Sequence, residues 1–182
     1  MVRFCFVVAV ALTIESQSAR AQNDGAVNSA RIHLDALRTG NYLLAAQTTD
    51  PEELRRVRAD FEPLLHADSA NYIARRLFRI ESTAELRRLP DDAFYAGLMT
   101  FQFGTSTTTK LWSTMRGVEL AGAIPKGEDT VLVVYKWIFA ADSAPLRSFN
   151  VETMIRCSRG WCANMAGDFT GLLKLLKATT GR

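Results

Sequence analysis

Carboxylates on strands are the first place to look for chemistry, because a strand side chain can point into a covered cavity, lose its hydration and hold a proton near neutral pH. Glu119 and Glu152 both lie in segments that alternate like strands. Around Glu152, the row Phe149, Val151, Thr153, Ile155 and Cys157 is mostly apolar. The row Ser148, Asn150, Glu152 and Arg156 is mostly polar, which assigns Glu152 to the outward face. Either face is open to Glu119, so it is the better candidate base, with Asp91 and Asp92 at a helix start as further candidates. Tyr135 and Trp137 share an apolar strand face, where aromatic rings line a pocket or fill a core. The candidate ligand pocket is therefore Tyr135, Trp137 and Glu119. A hydrolytic triad would have to use His33 or His66. His33 lies beside the apolar stripe of its helix and His66 at a helix end near Asp68, so both read as surface or helix-terminal residues.

The remaining chemistry-bearing types are the cysteines in Cys157-Ser-Arg-Gly-Trp-Cys162. With Arg159-Gly160 as a two-residue turn, Cys157 stands directly opposite Cys162 at disulfide distance. With a three-residue loop, Ser158 to Gly160, the residues Trp161, Ala163 and Met165 reach the core face and the two thiols part. The thiols favour the first register and the hydrophobic pattern the second. The disulfide is the expected outcome, and closing so small a loop stabilises by only about 1–2 kcal/mol. A redox role fits poorly, since reactive pairs usually sit as Cys-x-x-Cys at a helix start. Zinc would need two more ligands, and the histidines lie on distant helices. Nucleophile-elbow, dinucleotide, phosphate-loop and zinc-protease signatures do not occur. Neither a cofactor nor a metal is expected.

The elements that must position these residues follow an N-terminal leader. Arg3 gives a positive start, Phe4 to Ile14 an apolar run, and Ala19-Arg20-Ala21 a small-x-small cleavage site, so residues 1–21 read as a signal peptide and 22–182 as a single α+β domain. The apolar run is shorter than the roughly 20 residues that span a bilayer. Cleavage would remove two of the 22 basic and one of the 19 acidic residues, lowering the formal charge of +3 by one. Charges so balanced and interspersed argue against nucleic-acid binding. The leader and the cysteine pair imply a periplasmic or extracellular location, and the lack of an Asn-x-Ser/Thr site favours a bacterial one.

The first half has helical periodicity. Val27, Ala30, Leu34 and Leu37 fall on one face of a helix that starts near Asn28 and stops at Gly40. A short helical turn, Tyr42 to Ala46, follows. Asp50-Pro51-Glu52-Glu53 is a strong helix start, and that helix buries Leu54, Val57, Phe61 and Leu64 or Leu65. Further helices are expected around Asn71 to Leu77, after the Ser82-x-x-Glu85 capping box, and from Leu89 or Asp91 with Phe94, Leu98 and Phe101 on one stripe. Leu111, Trp112 and Met115 fit one last turn. The second half then switches to period two. Val118 to Ile124 and Thr130 to Ala140 are strands, and a five-residue loop, Asp142 to Leu146, would pair Phe139 with Phe149 and Trp137 with Val151. A terminal amphipathic helix carries Phe169, Leu172, Leu173 and Leu176. Helices before an antiparallel meander define an α+β fold, with the helices covering the apolar face of the sheet.

The run Ala30-Arg31-Ile32-His33-Leu34-Asp35-Ala36-Leu37-Arg38-Thr39-Gly40-Asn41-Tyr42, the later Val118-Glu-Leu-x-Gly122 and Val133-Val-Tyr-Lys136 together resemble secreted bacterial members of the nuclear-transport-factor-2-like, cystatin-like cone superfamily. The resemblance spans about Asn28 to Ala166. It implies a curved sheet wrapped around helices with one open end, where relatives hold a hydrophobic ligand, catalyse isomerisation or dehydration, or bind partners. Catalytic relatives use a pocket Asp, or a His–Asp pair, with a Tyr, and no position here matches those residues. The expectation is an exported, non-catalytic domain that binds a small apolar molecule or a protein partner. The alternative is a small isomerase-, dehydratase- or hydrolase-like enzyme. Neither nucleic acid nor stable membrane insertion is expected, and a homodimer stays open.

Overall fold

A computed structural model of the chain describes residues 23–68, 70–104, 113–140, 149–164 and 169–180. The expected signal peptide, residues 1–21, and the expected turn at Leu111 and Trp112 lie outside them. Helix α1 covers 23–39, and its first turn is drawn in against the sheet because Gly25 has no Cβ, which would stand 3.2 Å from the Trp161 ring. At the other end Gly40 has φ 72°, and the amide of Asn41 donates to Ala36 O at 2.9 Å, the glycine stop that the sequence implies. Helix α2 (Tyr42–Gln47) is capped by Asn41. Helix α3 (Pro51–Ala67) is capped by Asp50 with Pro51 in its first turn, and buries Leu54, Val57, Phe61, Leu64 and Leu65. A π-helical turn (Ala74–Phe78), helix α4 (Thr83–Leu86) capped by Ser82, and helix α5 (Asp91–Phe103) complete the first layer.

The second layer is a curved antiparallel meander, β1 (Met115–Pro125), β2 (Thr130–Phe139), β3 (Asn150–Cys157) and β4 (Gly160–Ala163), followed by helix α6 (Thr170–Thr180). Met115, expected in a helical turn, instead opens β1 opposite Phe139. Two irregularities in β1, at Met115/Gly117 and Leu120/Gly122, bend the sheet. The helices cover the concave face, and the main core joins Leu34, Phe61, Phe94, Leu98 and Tyr135 from both layers. A smaller cluster places Ala26 and Ala30 of α1 on Val131, Val133, Met154, Trp161 and Ala163.

Strand β3 lies in a different register from the one its own alternation suggests. Val133 pairs with Glu152, Val134 with Val151 and Tyr135 with Asn150. Phe139 and Trp137 therefore do not meet Phe149 and Val151, which are 63 % and 57 % exposed on the convex face. The cause is in β4. Its end is tied to the helical layer by Asp50 N–H donating to Ala163 O at 2.9 Å and Ala163 N–H donating to Thr48 O at 2.8 Å. Trp161 and Ala163 thus face inward, opposite Arg156 and Met154, and alternation carries Glu152 inward with them.

That register also resolves the conflict at the cysteines. The turn residues are Ser158 and Arg159, and Gly160, at φ 104°, pairs with Cys157. Cys162 is then a diagonal neighbour of Cys157 rather than its direct opposite, with Cα atoms 6.0 Å apart in a disulfide. Directly paired residues share a face and neighbours along a strand alternate, so the sulfurs sit together while Trp161 turns to the core. A register shifted from both expected ones satisfies thiols and tryptophan at once.

Candidate functional site

The interior of the sheet holds an acid that the local pattern hides. Glu152 is 2 % exposed, on the covered face directly opposite Val133 of β2. Burial pushes its carboxyl from the ordinary 4.5 up to about 8, against a smaller opposing effect from the Thr153 backbone N–H that donates to it. At neutral pH the group is a neutral acid, able to donate one hydrogen bond and accept others.

Two phenols stand in electrostatic reach of it. Tyr135 is inward-facing on β2, and burial followed by the nearby Glu152 charge pushes its hydroxyl up to about 12. Tyr95 comes from α5, and burial raises it further still, helped by Glu152 and Glu53. The Tyr95 hydroxyl is buried and has no hydrogen-bond partner among the described residues. An unsatisfied buried hydroxyl costs about 1–3 kcal/mol, so its position needs a reason other than packing. Rings fix both phenols. Phe169, just before α6, meets Tyr95 edge-on at 5.7 Å and Phe61 at 6.2 Å, and Trp137 meets Tyr135 edge-on at 5.3 Å. The arrangement offers three O–H donors, two of them on stiff aromatic supports, inside an apolar shell.

Of the residues that the sequence nominates, Tyr135 and Trp137 lie on the covered face and Glu119 does not. Glu119 is half-exposed and pairs with Lys136 at 2.9 Å. It faces solvent because its cross-strand partner Lys136 belongs to the even, outward row of β2. Asp91 pairs with Arg58 at 3.2 Å, and Asp92 accepts from the Ala93 amide at 2.8 Å, so both serve the start of α5. His66 is exposed beside Glu62, as its helix-end position suggests.

His33 is not a surface residue. It is fully buried, with Nδ1 2.9 Å from Thr48 Oγ1, and burial lowers it to about 4, so the ring is neutral. The tight α1–α2 corner brings Thr48 back over α1, which no helical stripe can reveal. Its Nε2 has no hydrogen-bond partner among the described residues.

Glu152 itself is the residue that strand periodicity assigns to the wrong face. The missing signal was joint rather than local: an inward Trp161 with Cys157 and Cys162 sharing the outward face leaves only a register that buries residue 152. Among the described residues, no group of three His, Cys, Asp or Glu could hold a metal ion, and no helix is long and apolar enough to cross a membrane. No family model matches the chain, and neither a curated protein nor a solved structure matches it.

Proposed function

We propose that this chain is an exported cone-fold domain that binds a small, mainly apolar molecule between its helices and the covered face of its sheet, with Glu152, Tyr95 and Tyr135 as the polar contacts. The observation that carries this reading is the burial of Glu152 against the alternation of its own strand, while Phe149 and Val151 are left in solvent. A fold optimised only for stability would reverse that choice, because a buried carboxyl and an unsatisfied phenol both oppose folding. Since a neutral carboxyl and two phenols all offer donors, the polar end of the ligand is a hydrogen-bond acceptor such as a carbonyl oxygen. Helices followed by a curved antiparallel sheet are also what the nuclear-transport-factor-2-like resemblance implies, and the disulfide suits an exported protein.

The test is native mass spectrometry of the purified chain for a retained molecule, then titration with 2-decanone and decane followed by Trp emission, since Trp137 touches Tyr135. The ketone should bind more tightly than the alkane, and Glu152→Leu should remove the difference. Equal binding of the two by the native chain, or none by either, refutes the reading.

The second reading, an acid–base enzyme, draws on the pKa of Glu152 near 8. General acids and bases work best when their pKa lies near the operating pH. Chemical conversion of a retained ligand, lost in Glu152→Gln with binding kept, would favour it over simple binding.

A further inference from the structure

A separate cavity lies between α5 and the π-helical turn. The π-helical turn Ala74–Phe78 ends at Arg79, whose backbone takes φ 57°, unusual for a residue with a side chain. This segment is held against α5 by a notch. A Cβ on Gly97 would stand 2.4 Å from the Phe78 ring, so only glycine lets that ring in, and Phe78 then stacks on Phe94 at 5.0 Å. The result is an open cavity of about 340 Å³ lined by Arg76, Leu77, Arg79, Thr100, Phe101 and Gly104. Gly104 closes α5 where a Cβ would meet Thr100 O at 2.6 Å.

Among the described residues that line this cavity, the charged side chains are Arg76 and Arg79, both basic, and neither has a carboxylate partner among the described residues. Two unpaired guanidinium groups over an apolar floor of Leu77 and Phe101 match an anion with a hydrophobic body. The planar fork of arginine suits carboxylate and phosphate oxygens, and its face stacks on aromatic rings. A cavity of this size lies in the range that small-molecule sites occupy. We propose that this cavity binds a small aromatic anion, a carboxylate or phosphate monoester, through Arg76 and Arg79, with its ring against Phe101 and Leu77. The site needs neither Glu152 nor the interior of the sheet, so it stands or falls apart from the interior ligand.

The experiment is an NMR titration of the mature chain with phenyl phosphate and benzoate, with inorganic phosphate and phenol as arms carrying the charge alone and the ring alone. One of the two aromatic anions should bind about tenfold more tightly than either arm, the Gly104 amide should shift, and the better headgroup names the subclass. Arg76→Gln with Arg79→Gln should weaken that binding by at least about tenfold, since both charge-assisted contacts are lost. Each single variant is measured as well, and should lose severalfold, in case the double variant does not fold. Phenol binding as tightly as both anions, inorganic phosphate binding as tightly as both, an unmoved Gly104 amide, or variants that bind like the native chain would each overturn the proposal.

Discussion

Replacing Glu152 by Gln should change the pH dependence of stability in a way that separates two buried groups. Glu152 has its pKa raised by burial from 4.5 to about 8, so the folded chain holds a proton that the unfolded chain has released across that window. Its contribution is fully present below pH 4.5 and is lost as pH rises towards 8, at about 1.4 kcal/mol per unit. The loss is about 3 kcal/mol by pH 7 and about 5 kcal/mol in all. His33 acts with the opposite sign. Burial lowers it from 6.5 to about 4, so its contribution is present above 6.5 and is lost as pH falls towards 4. Between pH 4.5 and 6.5 the two slopes cancel, and above 6.5 that of Glu152 stands alone. Urea unfolding of native and Glu152→Gln chains from pH 4 to 9, with the disulfide intact, measures this directly. The variant-minus-native difference should be level below pH 4.5, rise with pH to about 8, and level off there. In the variant, the falling limb towards low pH from His33 should be uncovered. A difference curve that stays flat from pH 4.5 to 8 would mean that Glu152 keeps its charge in the folded chain, and the reasoning about the interior site would fail with it.

Other consequences can be checked independently. The unreduced chain should weigh about two hydrogens less than its reduced form, and reducing the Cys157–Cys162 bond should cost about 1–2 kcal/mol in urea unfolding, because the loop it closes is short. Gly97→Ala should lower stability by about 1–3 kcal/mol, since its methyl would enter the Phe78 ring. In a Phe78→Ala background the same change should be neutral or stabilising, through helix propensity, as thermal unfolding would show. Tyr95→Phe removes a buried hydroxyl without a partner among the described residues, so it should be neutral or stabilising in the free chain and should weaken binding of 2-decanone.

Much of the architecture is legible because it follows from short-range physics. Asp50 before Pro51, Ser82 three residues before Glu85 and Gly40 after an apolar stripe each meet the requirements of a helix end, and each stands at one. Period two along β2 placed Tyr135 and Trp137 on the covered face, because alternation within one strand is a covalent consequence of extended backbone. The cysteine pair was legible for a similar reason: only five positions apart, the two residues depend on one turn.

What the linear pattern could not determine is which face of β3 turns inward, because that depends on contacts between segments distant in the chain. Backbone hydrogen bonds, from Asp50 N–H to Ala163 O and from Ala163 N–H to Thr48 O, hold β4, β4 sets β3, and β3 carries Glu152 into the interior against its local preference. The same dependence buried His33, through a corner that returns Thr48 to α1, and turned Glu119 to solvent beside Lys136. Sequence by itself determined most of the elements and their order and made the disulfide the expected outcome, since these rest on neighbours along the chain. Tertiary structure alone decided the register of the sheet, and with it which acid lies in the interior, since one residue of slip exchanges every side chain between core and solvent.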